Sequence, residues 1–208
     1  MKDGTTIKIE VNGTKRGILG DIETKQLCEK AKDEFGLTCF ASIVSWSQLF
    51  GGKIAAALSR QHPRDLFDCR GISPDDFNAV KDGFMLCLLG SDKPIIESLQ
   101  PNIIDQRDAL DNQFDGMTDE TFNYDDYQSS RANLIEVVNN GFTDEYKDSL
   151  ISFEEGNPDW IKCCAGDLSE YPSVKWKLMN IEKLKSKNPT KHQESIDKLN
   201  EFFQAKIH

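Results

Sequence analysis

Residues 7–12 alternate strictly, with Ile7, Ile9 and Val11 on one side and Lys8, Glu10 and Asn12 on the other. A period of two is that of a half-buried strand. Gly13-Thr14 punctuates it, and residues 15–19 are placed to return as its partner before Gly20. The period then changes. Over residues 24–35, Leu27, Cys28, Ala31 and Phe35 recur at helical spacing, and residues 37–44 are β-branched and aromatic enough for a short strand. From Ser45 onward the pattern is helical. Ser45 or Ser47 is placed to cap a helix whose buried stripe is Leu49, Phe50, Ile54, Ala57 and Leu58. Pro63, lacking an amide donor, fits the first turn of the next helix. Ser73-Pro74-Asp75-Asp76 is a strong start signal, and the helix it opens carries Phe77, Val80, Phe84, Leu88 and Leu89. Pro94 opens a short helix over residues 95–99. Longer helices follow over residues 125–139 (Tyr127, Ala132, Leu134, Ile135, Val138), over 143–152, and from Pro172 with Val174, Trp176, Leu178 and Ile181. A last one, residues 190–206, buries Ile196, Leu199, Phe202 and Phe203.

This order predicts an α+β fold, predominantly α, with a small sheet inside residues 1–45 and a helical domain over 46–208. Two or three short strands make a poor sheet on their own. The pattern therefore implies that elements encoded before Met1 complete the sheet, or that residues 7–19 and 37–44 recruit another chain through an open edge.

Composition removes several function classes. No run of eighteen apolar residues spans a membrane, and the first residues hold no apolar segment of a secretory signal. Cys28, Cys39, Cys69, Cys87, Cys163 and Cys164 form no CxxC, and His62, His192 and His208 complete no zinc spacing. Reduced thiols in a cytoplasmic protein account for them most simply. The net charge of −10 argues against a surface coated for phosphate binding, yet the charge is uneven. Residues 101–171 hold seventeen acidic against four basic side chains, whereas residues 173–208 hold eight lysines against four acids. The basic end reads either as a solvated lysine-rich helix or as a face for nucleic acid.

Charge is concentrated where it is most costly. Lys53 lies inside an Ala/Leu-rich helix between Phe50 and Ile54, and Arg60 falls on the same flank. Beyond the Pro63 break, Arg64 and Asp68 are four apart and Asp65 and Asp68 three apart. Such charges against a core must be paired. Lys53 meets either a bound anion or one of Asp65 and Asp68. Arg60 and Arg64 read as joints between the two helices. Asp65 is also placed as an ordinary helix N-terminal acid, stabilised by the macrodipole. No elbow glycines flank Ser98 or Ser129, and Gly51-Gly52 lacks the GK[ST] ending of a phosphate loop.

Lys53, Arg60 and the run Arg64-Asp65-Leu66-Phe67-Asp68 resemble the lysine and RDxxD motifs of the AbiEii/AbiGii nucleotidyltransferase-like toxins. The likeness continues through Pro94-Ile95-Ile96-Glu97-Ser98-Leu99, Phe114-Asp115-Gly116-Met117 and Pro172-Ser173-Val174-Lys175-Trp176-Lys177-Leu178-Met179-Asn180, so it covers nearly the whole chain. Residues 7–12 resemble a middle strand of the same family, which makes the small sheet an incomplete nucleotidyltransferase-like one. The resemblance implies Mg²⁺ and an NTP, transfer of a nucleotide plausibly to a tRNA 3′ end, and a separately encoded antitoxin. It also implies roles. Lys53 would meet the triphosphate, Arg64 would touch phosphate, and Asp65 would act near the attacking hydroxyl or orient Lys53. Glu10 would be a third metal carboxylate, or else an ordinary exposed strand glutamate, with Arg60 and Asp68 completing a structural charge cluster. Members normally begin with a GSx…DxD stretch, which these residues do not contain. The chain thus reads as the later part of such an enzyme, inactive alone and completed by an N-terminal half. The other reading is a non-catalytic helical interaction module.

Overall fold

Ser45 starts the helical part of the chain, its hydroxyl accepting the Gln48 amide at the head of α2, Trp46–Arg60. The computed structural model describes residues 17–161, 163 and 165–205. The expected strand over residues 7–12, Glu10 with it, lies outside them. Ahead of α2 stand β1 (Glu23–Gln26), α1 (Glu29–Phe35) and β2 (Phe40–Ile43). β1 and β2 form a two-stranded antiparallel sheet with Glu23 opposite Ile43 and Gln26 opposite Phe40. Beyond α2 come α3 (Pro63–Asp68), α4 (Pro74–Leu89), α5 (Ile95–Leu99), α6 (Arg107–Ala109), α7 (Tyr124–Asn140), α8 (Asp144–Glu154), α9 (Pro172–Lys187) and α10 (Pro189–Gln204). The described chain is α+β and mostly α, as the pattern of caps and stripes predicts.

Two expectations near the N-terminus are corrected. Residues 24–35 are not one helix. Residues 23–26 pair with β2, the Leu27 amide bonds Cys39 O at 2.9 Å, and the helix begins only after Cys28. Cross-strand hydrogen bonds outweigh the helical spacing of the side chains there. The partner of β2 is accordingly β1, while residues 17–19 hold no regular element and are tied instead to α2. Gln48 Oε1 accepts the Leu19 amide at 2.7 Å, and Ser45 Oγ donates to Leu19 O at 2.9 Å.

The core lies where the sequence places it, with exceptions. Ile54, Ala57, Leu58, Phe77, Phe84, Leu134, Val138, Leu150, Val174 and Leu199 are all buried, and Phe77, Phe84 and Phe142 meet edge-on or tilted within 5.5–6.2 Å. Phe35 and Trp176, expected inside, are mostly exposed, and Leu49 and Ala132 are exposed too. Helical spacing identifies a face but not what covers it.

α2 and α4 cross at two glycines. A Cβ on Gly51 would stand 2.1 Å from Phe84 N, and one on Gly83 2.0 Å from Ser47 O, so neither position admits a side chain. α4 itself is fixed by a capping box between Ser73 and Asp76 and, at its far end, by Lys177. The buried Lys177 ammonium donates to Leu88 O at 3.1 Å and Lys93 O at 2.7 Å, and Lys93 in turn donates to Ser59 O at 2.6 Å. α9 thus holds the end of α4, and through Lys93 the end of α2.

Candidate functional site

α2 ends in a sharp elbow rather than a loop. Gln61 takes a left-handed backbone (φ 52°), the only non-glycine among the described residues to do so, and its amide closes on Ala57 O. Such a residue holds only where its surroundings over-determine it, and here they do. Tyr127 Oη donates to Gln61 O at 2.9 Å, and Gln61 Nε2 donates to Asn102 O at 2.6 Å. Gln61 Oε1 accepts Arg131 Nη1 at 3.1 Å. Arg131 is buried on α7, bonded also to Ile104 O at 2.7 Å and Tyr127 Oη at 3.1 Å. It has no carboxylate partner among the described residues, so its charge is met by oxygen dipoles and by the Tyr127 ring, whose centre lies 5.0 Å from its guanidinium carbon. Burial raises the Tyr127 phenol above its ordinary pKa, which keeps the hydroxyl a donor.

After the elbow, His62 caps α3 and Pro63 occupies its first turn. His62 Nδ1 accepts the Arg64 amide at 3.2 Å, and its Nε2 lies 3.2 Å from Gln113 Oε1. α3 is pinned from below by a ring cluster in which Phe67 meets Phe114 at 5.2 Å and Phe122 at 5.3 Å. The Phe114-Asp115-Gly116-Met117 run therefore holds α3 in place, turning through Gly116 in the left-handed region (φ 76°).

The elbow folds α3 back along α2, and the charges divide into two pairs. Lys53 Nζ reaches Asp68 Oδ2 at 2.5 Å, both side chains more than a third exposed. Arg60 Nη2 reaches Asp65 Oδ1 at 2.8 Å. The direct Lys53 partner is thus Asp68, while Asp65 belongs to Arg60, which does join the two helices across Pro63. Asp65 is only 8% exposed, and its second oxygen, Oδ2, is buried without a hydrogen bond among the described residues. Arg64 is exposed and has no ion-pair partner among them. Cys69 lies under the whole group. Burial and the negative Asp68 push its thiol up to about 12 against the opposing pull of Lys53, with Asp65 adding to the rise. Lys53, Asp65 and Asp68 thus all act on one point. Tyr127, Arg131 and Gln61, which fix this geometry, carry no local signal in sequence.

A family model described as nucleotidyl transferase AbiEii toxin, type IV TA system, matches residues 1–180. The chain belongs to the AbiEii nucleotidyl transferase toxin family. A toxin family of type IV toxin–antitoxin systems implies an antitoxin partner. No curated protein and no solved structure matches the chain. No helix among the described residues is long and apolar enough to cross a membrane.

For Mg²⁺, which nucleotidyl transfer implies, the donors among the described residues do not fit, and Glu10 lies outside them. No three His, Cys, Asp or Glu side chains gather as metal ligands among the described residues, and Asp65 and Asp68 each already hold a cation. The chemistry left to this group is that of a lysine, two arginines and a buried carboxylate with one free oxygen.

Proposed function

We propose that this chain supplies the lysine and aspartate side of a nucleotidyltransferase centre that moves a nucleotide from an NTP to the 3′ end of a tRNA. The observation that carries the reading is the state of Asp65, one oxygen held by Arg60 at 2.8 Å and the other buried and unmatched. A buried carboxylate oxygen without a donor is costly and awaits one. In the proposed reaction that donor is the acceptor hydroxyl. Asp65 Oδ2 orients it and takes its proton, and Arg60 fixes the carboxylate for that task. The acceptor oxygen bonds to the α-phosphorus, the bond to the β-phosphate breaks, and pyrophosphate leaves. Lys53 exchanges Asp68 for the triphosphate and offsets its charge, a role suited to a flexible ammonium whose present partner is half-exposed. Arg64, exposed beside it, adds phosphate contact. The exposed lysines of α9 and α10, Lys177 apart, offer the acceptor RNA a basic face.

In this reading the DxD metal ligands come from elsewhere, with Glu10 as a third carboxylate, since these 208 residues hold no GSx…DxD stretch. In this proposal a DxD-bearing segment, in cis or in trans, completes the centre in the cytoplasm. Alone, the chain holds triphosphate weakly and transfers nothing. The alternative, a non-catalytic helical module, draws on the mutual satisfaction of Lys53 and Asp68. Nucleotide titration of the chain and of Lys53→Ala separates the two readings. Binding that weakens in the variant supports the transferase side, and the same weak background in both supports the module.

A further inference from the structure

One cavity of about 200 Å³ opens beside the Lys53–Asp68 pair and takes Asp68 into its wall. Its walls include Trp46, Phe50, Ile54 and the charged Asp68, Arg70 and Asp76. Trp46, Phe50 and Lys53 stand at positions i, i+4 and i+7 of α2, hence on one face. From Trp46 to Lys53 the helix rises about 10 Å, comparable with the reach from the base of a nucleotide to its outer phosphates. The two rings lie 3.8 Å apart at a 36° tilt, and Lys53 Nζ stands 6.0 Å from the Phe50 ring centre. Phe50 is anchored against the core, yet Trp46, leaning on it, remains 60% exposed.

We infer that this cavity is a nucleobase subsite, in which a base stacks on Trp46 while the phosphates of the same nucleotide lie at Lys53. The inference rests on the reading of Lys53 as the phosphate-binding cation. The occupant follows from the cavity's size and from the aromatic row that leads to Lys53 beside it. A volume of about 200 Å³ is below the usual range for a drug-sized ligand. It admits one planar ring system and not a helix. A row of two aromatic rings ending in a cation complements a flat base joined to an anion. Every base has a π-face, so stacking here is tolerant of base identity.

The test is an NMR titration of the ¹⁵N-labelled full chain, reading the indole N–H of Trp46, with Trp160 and Trp176 as internal references. The probes are the four NTPs and inorganic tripolyphosphate. We expect NTPs to move the Trp46 resonance and tripolyphosphate to leave it in place, with NTPs binding about 5- to 100-fold tighter. Trp46→Leu, an exposed change whose fold is checked by circular dichroism, should lower NTP affinity to that of tripolyphosphate, whereas Lys53→Ala should weaken both probes. Equal affinity for NTP and tripolyphosphate, or an unchanged Trp46→Leu, overturns the subsite. If Lys53→Ala still weakens both, the phosphate reading survives it. No response to either probe at about ten millimolar overturns both readings. A Trp46→Leu variant that alters oligomeric state but not nucleotide affinity identifies a protein contact and overturns the subsite alone.

Discussion

Replacing Gly51 by alanine tests the helix crossing that carries Lys53. The added methyl would stand 2.1 Å from Phe84 N, 2.4 Å from Gly83 C and 2.8 Å from Phe84 Cα. Carbon contacts settle near 3.5 Å or beyond, so α2 and α4 must part by more than an ångström, against backbone that cannot rotate away. Overpacking of this kind costs about 1–3 kcal/mol and sometimes more, while alanine returns about 1 kcal/mol of helix propensity. Because the obstacles are all main chain, the upper end applies and the net loss is about 2 kcal/mol. For a chain of this size that lowers Tm by about 4–8 °C. Gly52 is the control one residue away, since its Cβ would meet only Cys87 Sγ, at an ordinary 3.5 Å. Gly52→Ala should therefore keep the propensity gain and raise Tm by about 2–4 °C. Thermal unfolding followed by circular dichroism at 222 nm, backed by urea titration, reads both variants. Two variants shifting in the same direction, or an unchanged Gly51→Ala, would refute the close crossing.

Tyr127→Phe leaves Gln61 O and Arg131 each short of a buried partner, and urea unfolding should show a loss of about 1–2 kcal/mol; an unchanged midpoint would remove the elbow clamp from the account. Lys177, whose pKa burial lowers from 10.5 to about 8, binds fewer protons folded than unfolded between those values. Stability should consequently rise with pH across that window by about 3 kcal/mol relative to Lys177→Met, and parallel pH profiles of the two proteins would count against it. Cys28 and Cys39 are exposed, so a maleimide at pH 8 should label them while the folded Cys69, pushed up to about 12, stays unlabelled. Mass spectrometry finding Cys69 labelled as fast as Cys28 would contradict its burial beneath Asp68.

The helical part of this fold was legible because its boundaries are written locally. Ser45, Pro63, Ser73-Pro74 and Pro172 each satisfy or excuse an amide at a helix start, and the stripes behind them point inward. The N-terminal layer was harder to read. Residues 23–26 are ETKQ, without an apolar alternation, and become a strand only through pairing with residues 40–43. The wide turn at Leu110–Phe114, reached through α6, is too short to show a period at all. At the site, residue type and spacing located the charges but not their pairing. Which carboxylate Lys53 meets depends on the left-handed turn at Gln61, held by Tyr127 and Arg131 from 66 and 70 residues away. Trp46 and Phe50 carry no site signal in sequence, because an aromatic at helical spacing reads first as core.

The role proposed for Lys53 and Asp65 requires a DxD-bearing segment beside them. Transfer of label from [α-³²P]NTPs to tRNA measures it directly, with Mg²⁺ present, for the 208-residue chain alone and with that segment supplied in cis or in trans. No labelling is expected from the chain alone, with labelling on completion and its loss in Lys53→Ala or Asp65→Ala, whose helical content by circular dichroism is retained. Robust labelling of tRNA by the isolated chain, or labelling that survives Lys53→Ala, would contradict the proposed role.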